Sequence, residues 1–154
     1  MVIEAVKTEH YLYFLVEGIV KGYKNEDGAI IVEHLVEDGA FLTSVDSFFY
    51  ESSSNDFFET VTDCKLLKVS REDFDRLRTS NDKWGGIIEV VRNENLRCKM
   101  ERVNDFQTLN ATERYLKFLN RSSSLALKVS VEDIASYLGV KPPSLSRIRR
   151  QIAS

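Results

Sequence analysis

The last residues of the chain combine serines and arginines at the spacing of a helix. Side chains that donate hydrogen bonds or carry positive charge lie at Lys141, Ser144, Ser146, Arg147, Arg149 and Arg150. No acidic residue follows Val140. Guanidinium and ammonium groups bind phosphates, and an arginine can also bond two acceptors on one edge of guanine. This set of side chains indicates contact with double-stranded DNA.

The segment that carries these side chains begins with one short helix. Ser130 can cap it, with Asp133 three residues on as the acidic half of a capping box. Its apolar face at helical spacing consists of Ile134, Ala135 and Leu138. Gly139 suits the left-handed backbone that ends a helix. We therefore predict a helix that stops in a tight turn at 139–141.

A second helix is predicted to begin at two prolines. Pro142 and Pro143 fit only a first helical turn, where the backbone N–H groups have no partner. The residues predicted to face inward are Leu145, Ile148 and Ile152, and the serines and arginines are predicted to face outward. A short helix, a glycine-containing turn and a cationic second helix together indicate a helix-turn-helix that binds DNA.

Charge is divided unevenly along the chain. Residues 1–80 contain 8 Lys and Arg against 16 Asp and Glu, a net charge of −8. Residues 81–154 contain 13 against 8, a net charge of +5. A phosphate backbone repels the first half and attracts the second. The asymmetry favours a C-terminal end that faces nucleic acid.

Composition limits the class of protein. The chain has 154 residues, 43% of them hydrophobic and 29% charged, which is typical of a soluble globular protein of one or two small domains. It contains neither a run of about 18 apolar residues nor a signal-peptide pattern, so we expect no membrane partner. Two cysteines far apart in sequence, Cys64 and Cys98, are too few for a disulfide scaffold. A cytoplasmic location is the simplest expectation.

The first seventy residues read as short strands separated by turns. Asn25 to Gly28 is a hairpin signal, and Asp38-Gly39 marks another turn. Strands are predicted at 11–20, 29–36, 45–51, 56–61 and 64–69. This spacing predicts a small antiparallel β-roll of the jelly-roll kind, and with the helices that follow, an α+β fold.

A long helix is predicted after the strands. Ser70 can cap a short helix, and residues 81–106 contain no glycine or proline after Gly86. An apolar stripe at spacings of three and four runs through Trp84, Ile88, Val91 and Asn95, and continues through Leu96, Met100 and Val103. A second copy of the helix would cover this stripe in a two-fold dimer, and packing on the chain's own β-roll is the alternative. We expect the dimer.

The order of these segments resembles the Crp/Fnr family of transcription regulators. A β-roll and a long helix are followed by ATERYLKFL, SVEDIASYLGV and SLSRIRRQI. The resemblance implies a cyclic-nucleotide-binding-like sensor domain at 1–80, a connecting dimerisation helix at 81–106 and a DNA-binding domain at 107–154. It also implies a homodimer whose recognition helices enter successive major grooves, with RNA polymerase as a candidate partner.

The sensor segment departs from family members that bind cyclic AMP. Those members carry a Gly-Glu pair and, about ten residues on, an Arg that neutralises the cyclic phosphate. Here the matching stretch is TSVDSFFYESSSNDFFE, which contains neither. Without that cation, cyclic AMP loses its main charge-assisted bond, and we expect no productive binding. Another small effector could contact Ser53, Ser54 and Asn55, and a plain solvated loop is the alternative.

The recognition helix departs as well. Prolines replace the Arg and Glu with which cyclic-AMP-responsive members read bases. Base reading is therefore assigned to Ser144, Ser146 and Arg147, with Arg147 bidentate to a guanine. The predicted phosphate contacts are Lys141, Arg149 and Arg150. A solvated cationic helix end is the alternative, within a sensing or protein-interaction module that does not bind DNA.

Both ends of the chain look short against the family pattern. Against that pattern we expect no β-hairpin wing after the recognition helix, and we expect Met1 to enter the β-roll part-way. We expect a reduced family member or an incomplete domain.

The sequence contains no pattern typical of a catalytic or metal-binding site. Only two histidines, His10 and His34, are available as ligands, fewer than a cupin metal site needs. No G-x-S-x-G, P-loop or G-x-G-x-x-G motif occurs. Neither cysteine has a nearby resolving cysteine. We expect no enzyme activity, metal or cofactor.

Overall fold

The computed structural model describes all residues, 1–154, as six strands and seven helices. The strands are Tyr11–Glu17 (β1), Ile19–Glu26 (β2), Ala29–Glu37 (β3), Ala40–Leu42 (β4), Phe57–Thr60 (β5) and Lys65–Ser70 (β6). The helices are Val45–Tyr50 (α1), Arg71–Ser80 (α2), Asp82–Thr108 (α3), Ala111–Arg121 (α4), Ser123–Lys128 (α5), Val131–Leu138 (α6) and Pro142–Ala153 (α7). The predicted α+β class and the β-roll are confirmed.

The β-roll consists of two three-stranded antiparallel sheets. Their strand orders are β4-β1-β6 and β3-β2-β5. The apolar residues packed in this roll are Ile3, Leu15, Val20, Leu42 and Phe58. The predicted hairpin joins β2 to β3, where the Gly28 N–H donates to the Asn25 side chain over 3.0 Å. Burial on these strands does not alternate strictly, since Ile19 and Val20 are adjacent and both buried.

The strand predicted at 11–20 is divided at Gly18 into β1 and β2, and the strand predicted at 45–51 is wrong. Residues 45–51 form the short helix α1, because tertiary contacts override the β-propensity of this aromatic-rich run. Phe48 is buried against Phe74 of α2. The Arg71 guanidinium donates to the carbonyls of Ser47 and Phe48 in the last turn of α1, and the Ser47 carbonyl also accepts from the Glu51 N–H at 3.0 Å.

The long helix packs one face on its own domain. The Asn81 side chain caps α3 by accepting from the Lys83 N–H at 2.9 Å. Val91 is buried with Leu12, Phe48 and Phe74, and Ile88 packs on the same cluster. A second copy of the chain therefore finds this part of the predicted dimer stripe already covered.

The rest of the predicted stripe points elsewhere. Trp84 and Asn95 are half-buried on the inward face with Val91. Leu96, Met100 and Val103 lie on another side of α3 and are 58%, 64% and 57% exposed. The predicted stripe therefore combines residues from two faces of one helix. One turn contains 3.6 residues, so a series of residues spaced by three or four positions moves gradually around the helix axis. The second face is the more exposed of the two, and dimerisation through Trp84, Ile88, Val91 and Asn95 stays a prediction.

The four C-terminal helices share a core of their own. Its buried members are Tyr115, Phe118, Leu125, Val129, Ile134, Ala135, Leu138, Leu145 and Ile148. Ile19 of β2 belongs to the same cluster, and Leu35 of β3 packs on it. The helical unit is therefore joined to the sheet by apolar contact.

Membrane-spanning helices and clusters of metal ligands were the two further features of interest. No helix is both long enough and apolar enough to cross a membrane. No group of three or more His, Cys, Asp or Glu side chains is placed to hold a metal ion.

Candidate nucleic-acid interface

The turn between α6 and α7 has the predicted chemistry. The Ser130 hydroxyl accepts from the Asp133 N–H at 3.1 Å and so caps α6. Gly139 ends the helix with φ 66° and ψ 37°. Its N–H donates to the Ser136 carbonyl, and the Val140 N–H donates to the Ala135 carbonyl at 2.9 Å. These bonds satisfy carbonyls that a helix end otherwise leaves free.

Gly139 also allows a close approach of the long helix. A Cβ built on Gly139 would lie 2.4 Å from Cε1 of Phe106 on α3. The Phe106 ring lies between two guanidinium groups, with Arg102 at 5.2 Å and Arg114 at 5.0 Å from its centroid. Arg114 in turn donates to the Leu138 carbonyl at 2.9 Å. The end of α6 is thus fixed to the end of α3.

The recognition helix α7 begins at Pro142, as predicted. Lys141 stands at its N-cap in an extended conformation without a side-chain cap bond. The N–H groups of Ser144 and Leu145 both donate to the Lys141 carbonyl. Leu145 is fully buried, and Ile148 is buried beside it. Ile152, predicted to face inward, is 39% exposed, because the last turn of α7 extends past the core.

One face of α7 carries the predicted DNA-contacting side chains. Ser146, Arg147 and Arg150 are exposed and share that face by helical spacing. Lys141 is exposed at the start of the helix, and Ser144 is half-buried at the edge of the face. No acidic residue lies on α7. The face is therefore positively charged and open to solvent.

Arg149 departs from the prediction. It is half-buried, and its Nε donates to the Tyr115 hydroxyl on α4 at 3.1 Å. The guanidinium carbon lies 5.6 Å from the centroid of the Tyr115 ring. The predicted outward orientation is wrong, because the position after Ile148 turns toward α4. The geometry makes Arg149 a bridge between helices.

The predicted ligand residues at 53–55 lie in a loop. The Ser54 hydroxyl accepts from the Asp56 N–H at 3.1 Å, and its carbonyl accepts from the Val6 N–H at 2.8 Å. Ser53 and Asn55 are exposed. None of these three residues lines the cavity between the β-roll and the helices. These contacts give Ser54 a structural role.

A carboxylate lies in the stretch that the resemblance matches to the cyclic-phosphate site. The buried Ser44 hydroxyl, at the start of α1, donates to Asp56 Oδ2 at 2.8 Å. This stretch corresponds to the Gly-Glu and Arg positions of cyclic-AMP-binding members. Negative charge at this point repels an anion. This charge agrees with the expectation that cyclic AMP does not bind productively, which stays a prediction.

A cavity of about 630 Å³ lies between the β-roll and the helices. Its walls come from β3 and β4 on one side, α3 on another, and α4 to α6 on the third. His34 of β3 faces it and stacks on Phe58 with ring centroids 6.1 Å apart. Burial lowers the pKa of His34, so the imidazole is neutral at pH 7. No sequence motif marked this cavity, since its walls are distant in sequence.

Comparison with known proteins agrees with this architecture. The cyclic nucleotide-binding domain profile matches residues 1–81, more than half of the chain. No curated protein matches the chain in sequence. Among solved structures, FixK2 from Bradyrhizobium japonicum has a TM-score of 0.82 and 22% identity over 97% of this chain and 77% of its own.

Two further structures share the fold. The regulator CLP from Xanthomonas campestris, described as c-di-GMP responsive, has a TM-score of 0.76 and 20% identity over 99% of this chain and 81% of its own. A Crp/Fnr-family transcriptional regulator from Thermus thermophilus has a TM-score of 0.77 and 17% identity over 99% and 80%. The chain belongs to the cyclic nucleotide-binding domain family, and its whole fold is that of the Crp/Fnr transcription regulators.

Proposed function

We propose that this protein is a DNA-binding transcription regulator whose helix α7 enters the major groove. The observation that carries the proposal is the single exposed face formed by Ser146, Arg147 and Arg150, on a helix without acidic residues. The buried face of α7 and the turn at Gly139 fix the direction in which these side chains point. A rigid cationic helix with free side chains is what groove reading requires.

The exposed side chains divide into two roles. Arg147, near the start of α7, is assigned to a guanine edge, with Ser144 and Ser146 beside it. Lys141 and Arg150 are assigned to phosphates on either side. Arg149 is a positioning residue, since its bond to Tyr115 holds α7 against α4.

A homodimer accompanies this proposal. The face of α3 formed by Leu96, Met100 and Val103 is exposed in the single chain. Gly85 and Gly86 lie toward the same side, with open space around each. A second copy of α3 laid along this face would bury the apolar side chains and relate two α7 helices by a two-fold axis. Two recognition helices about 34 Å apart would then read a palindromic site.

The signal for this regulator is a small molecule other than cyclic AMP. CLP is described as responsive to c-di-GMP, so effector chemistry varies among proteins of this fold. In this chain the Ser44–Asp56 bond supports the exclusion of a cyclic phosphate from the β-roll loop. We include contact with RNA polymerase in the proposal only because the fold is that of Crp/Fnr transcription regulators.

A titration of fluorescently labelled double-stranded DNA tests the proposal. Anisotropy is recorded at several salt concentrations on duplexes selected by the protein from a random pool. We expect tight binding that falls steeply with salt, and a preference for the selected sequence over a scrambled one. Absence of binding at low salt would contradict the assignment.

A sensing or protein-interaction module is the second candidate. It is favoured by Pro142 and Pro143, which remove two N–H donors from the first turn of α7, the turn nearest to a DNA backbone. Such a module would bind no duplex in the titration, while the folded protein would remain a dimer.

A further inference from the structure

Arg102 of α3 lies in the wall of the 630 Å³ cavity without a carboxylate partner. It is half-buried, and its Nη1 donates to the Glu33 carbonyl at 3.2 Å. Two aromatic rings flank the guanidinium, with centroids at 5.2 Å for Phe106 and 4.9 Å for Tyr137. The planar cation is therefore held in place while most of its donors remain free.

Burial of this cation has an energetic consequence. Loss of solvent lowers the pKa of Arg102 from its ordinary value, with only Tyr137 and Glu33 opposing the shift. Cation–π contacts offset part of the desolvation. An anion bound in the cavity would offset the remainder through charge-assisted hydrogen bonds, which are stronger than neutral ones.

The other charges around the cavity leave Arg102 available. Lys24 is paired with Glu33 at 3.3 Å. The Glu37 carboxylate accepts from the hydroxyls of Ser122 and Ser124. Arg121 of α4 is exposed at the same end of the cavity as Arg102. The two carboxylates at that end, Glu101 and Asp105, are paired with Arg97 at 2.9 Å and Lys117 at 2.7 Å, so neither neutralises Arg102.

Size and apolar lining define the rest of the ligand. Half of the residues around the cavity are hydrophobic. The Tyr137 ring lies against Arg102, and the Phe118 ring centroid lies 5.9 Å from that of Tyr137. A volume of 630 Å³ falls within the usual range for small-molecule sites. Aromatic and apolar walls beside a fixed guanidinium suit a flat organic body with one negatively charged group.

We propose that this cavity binds a small aromatic anion, with its charged group on Arg102 and Arg121 and its ring body against Phe118 and Tyr137. The anion site is therefore on the helices and not on the loop of the β-roll. Because the walls belong to both the β-roll and the helix-turn-helix unit, one bound molecule contacts both. Only the description of that ligand as an effector rests on the proposed function.

The test uses 1-anilinonaphthalene-8-sulfonate, an aromatic sulfonate that fluoresces when bound. We expect saturable binding at one molecule per chain to the native protein. Arg102→Gln should weaken it about tenfold, and Arg102→Lys should restore part of the loss, since Lys keeps the charge without the planar fork. Arg76→Gln on α2, outside the cavity, is the matched control and should bind like wild type. Equal affinity of wild type and Arg102→Gln would overturn the proposal.

A second readout does not depend on a variant. Cys98 lines the cavity, whereas the Cys64 thiol bonds to the Ile19 carbonyl in the β-roll. Saturating sulfonate should slow alkylation of Cys98 several-fold and leave Cys64 unchanged. Unaltered alkylation of Cys98 would also overturn the site. Both readouts are made without DNA, so failure of the DNA titration does not change them.

Discussion

Lys21 of β2 and Asp133 of α6 form an ion pair between units separated by 112 residues of sequence. Lys21 Nζ lies 3.1 and 3.0 Å from the two carboxylate oxygens, and the side chains are only 19% and 17% exposed. Beside them the Ser136 hydroxyl donates to the Ile30 carbonyl and accepts from the Val32 N–H, each at 2.9 Å. Helix α6 thus covers the edge of β3, and the direction of α7 depends on the sheet.

The Lys21–Asp133 pair should show measurable coupling in a double-mutant cycle. We expect Lys21→Met and Asp133→Asn each to lower the free energy of unfolding, and the double variant to lose about 1–2 kcal/mol less than their sum, because the pair is largely shielded from water. Urea denaturation gives the values. The exposed pair Glu72–Arg76 is the control, with expected coupling below about 0.5 kcal/mol. Additive effects at Lys21 and Asp133 would disprove the coupling.

Gly139→Ala should be more destabilising than Gly28→Ala. Both glycines have positive φ, 66° and 89°, so each substitution carries a backbone cost of about 1 kcal/mol. Only at Gly139 does a new Cβ meet another residue, Phe106. We expect an additional loss of about 1–3 kcal/mol there. Thermal unfolding of the two variants makes the comparison. Equal losses of stability would show that the Phe106 side chain moves away from the new Cβ without a measurable energetic cost.

His34 should make the fold sensitive to mild acid. Burial lowers its folded pKa, with Lys99 and Arg102 acting in the same direction and Glu33 and Asp56 opposing it. The unfolded chain, with a histidine pKa near 6.5, then binds more protons than the folded chain below that pH. The contribution of neutral His34 to the free energy of unfolding is therefore fully present above about pH 6.5, and it declines as the pH falls below that value.

The variant His34→Phe tests the origin of this decline. Phenylalanine can keep the stacking on Phe58 and cannot be protonated. We expect the melting temperature of the wild type to fall more steeply between pH 7 and 5.5 than that of the variant. Parallel curves would assign the acid sensitivity to other groups.

Charge on the exposed face of α3 should dissociate the proposed dimer. Met100→Glu is expected to place a carboxylate in the apolar contact between two copies and to weaken dimerisation at least tenfold. Leu127→Glu on α5 is the control, since Leu127 is even more exposed and lies away from α3. Sedimentation velocity distinguishes monomer from dimer. A Met100→Glu protein that remains dimeric would place the interface elsewhere.

Local signals in the sequence were sufficient for the helix-turn-helix. The cap at Ser130, the stop at Gly139 and the start at Pro142 each depend on neighbouring backbone alone. Helix α1 could not be predicted in this way, since Arg71, some twenty residues on, supplies the partners for its last carbonyls. The β-propensity of residues 45–51 therefore predicted a strand, whereas a tertiary contact determines the helical conformation.

Longer-range features of the site were also beyond the sequence. Arg149 was assigned outward because it is charged, yet Tyr115 on another helix provides a hydrogen bond and a ring face for it. The cavity around Arg102 joins residues from nine elements, β2 to β5, α1 and α3 to α6, and no spacing in the chain predicts that these residues meet. The division of α3 into an inward and an outward face likewise required the position of the β-roll.

The measurement that tests the central claim most directly compares Arg147→Ala with Arg150→Ala on selected and scrambled duplexes across a salt series. Arg147→Ala should lose about 1–3 kcal/mol on the selected duplex and most of the sequence preference. Arg150→Ala should weaken binding to both duplexes alike and reduce the slope of log affinity against log salt by about one. If both variants bind both duplexes as the wild type does, α7 is not the DNA-reading helix.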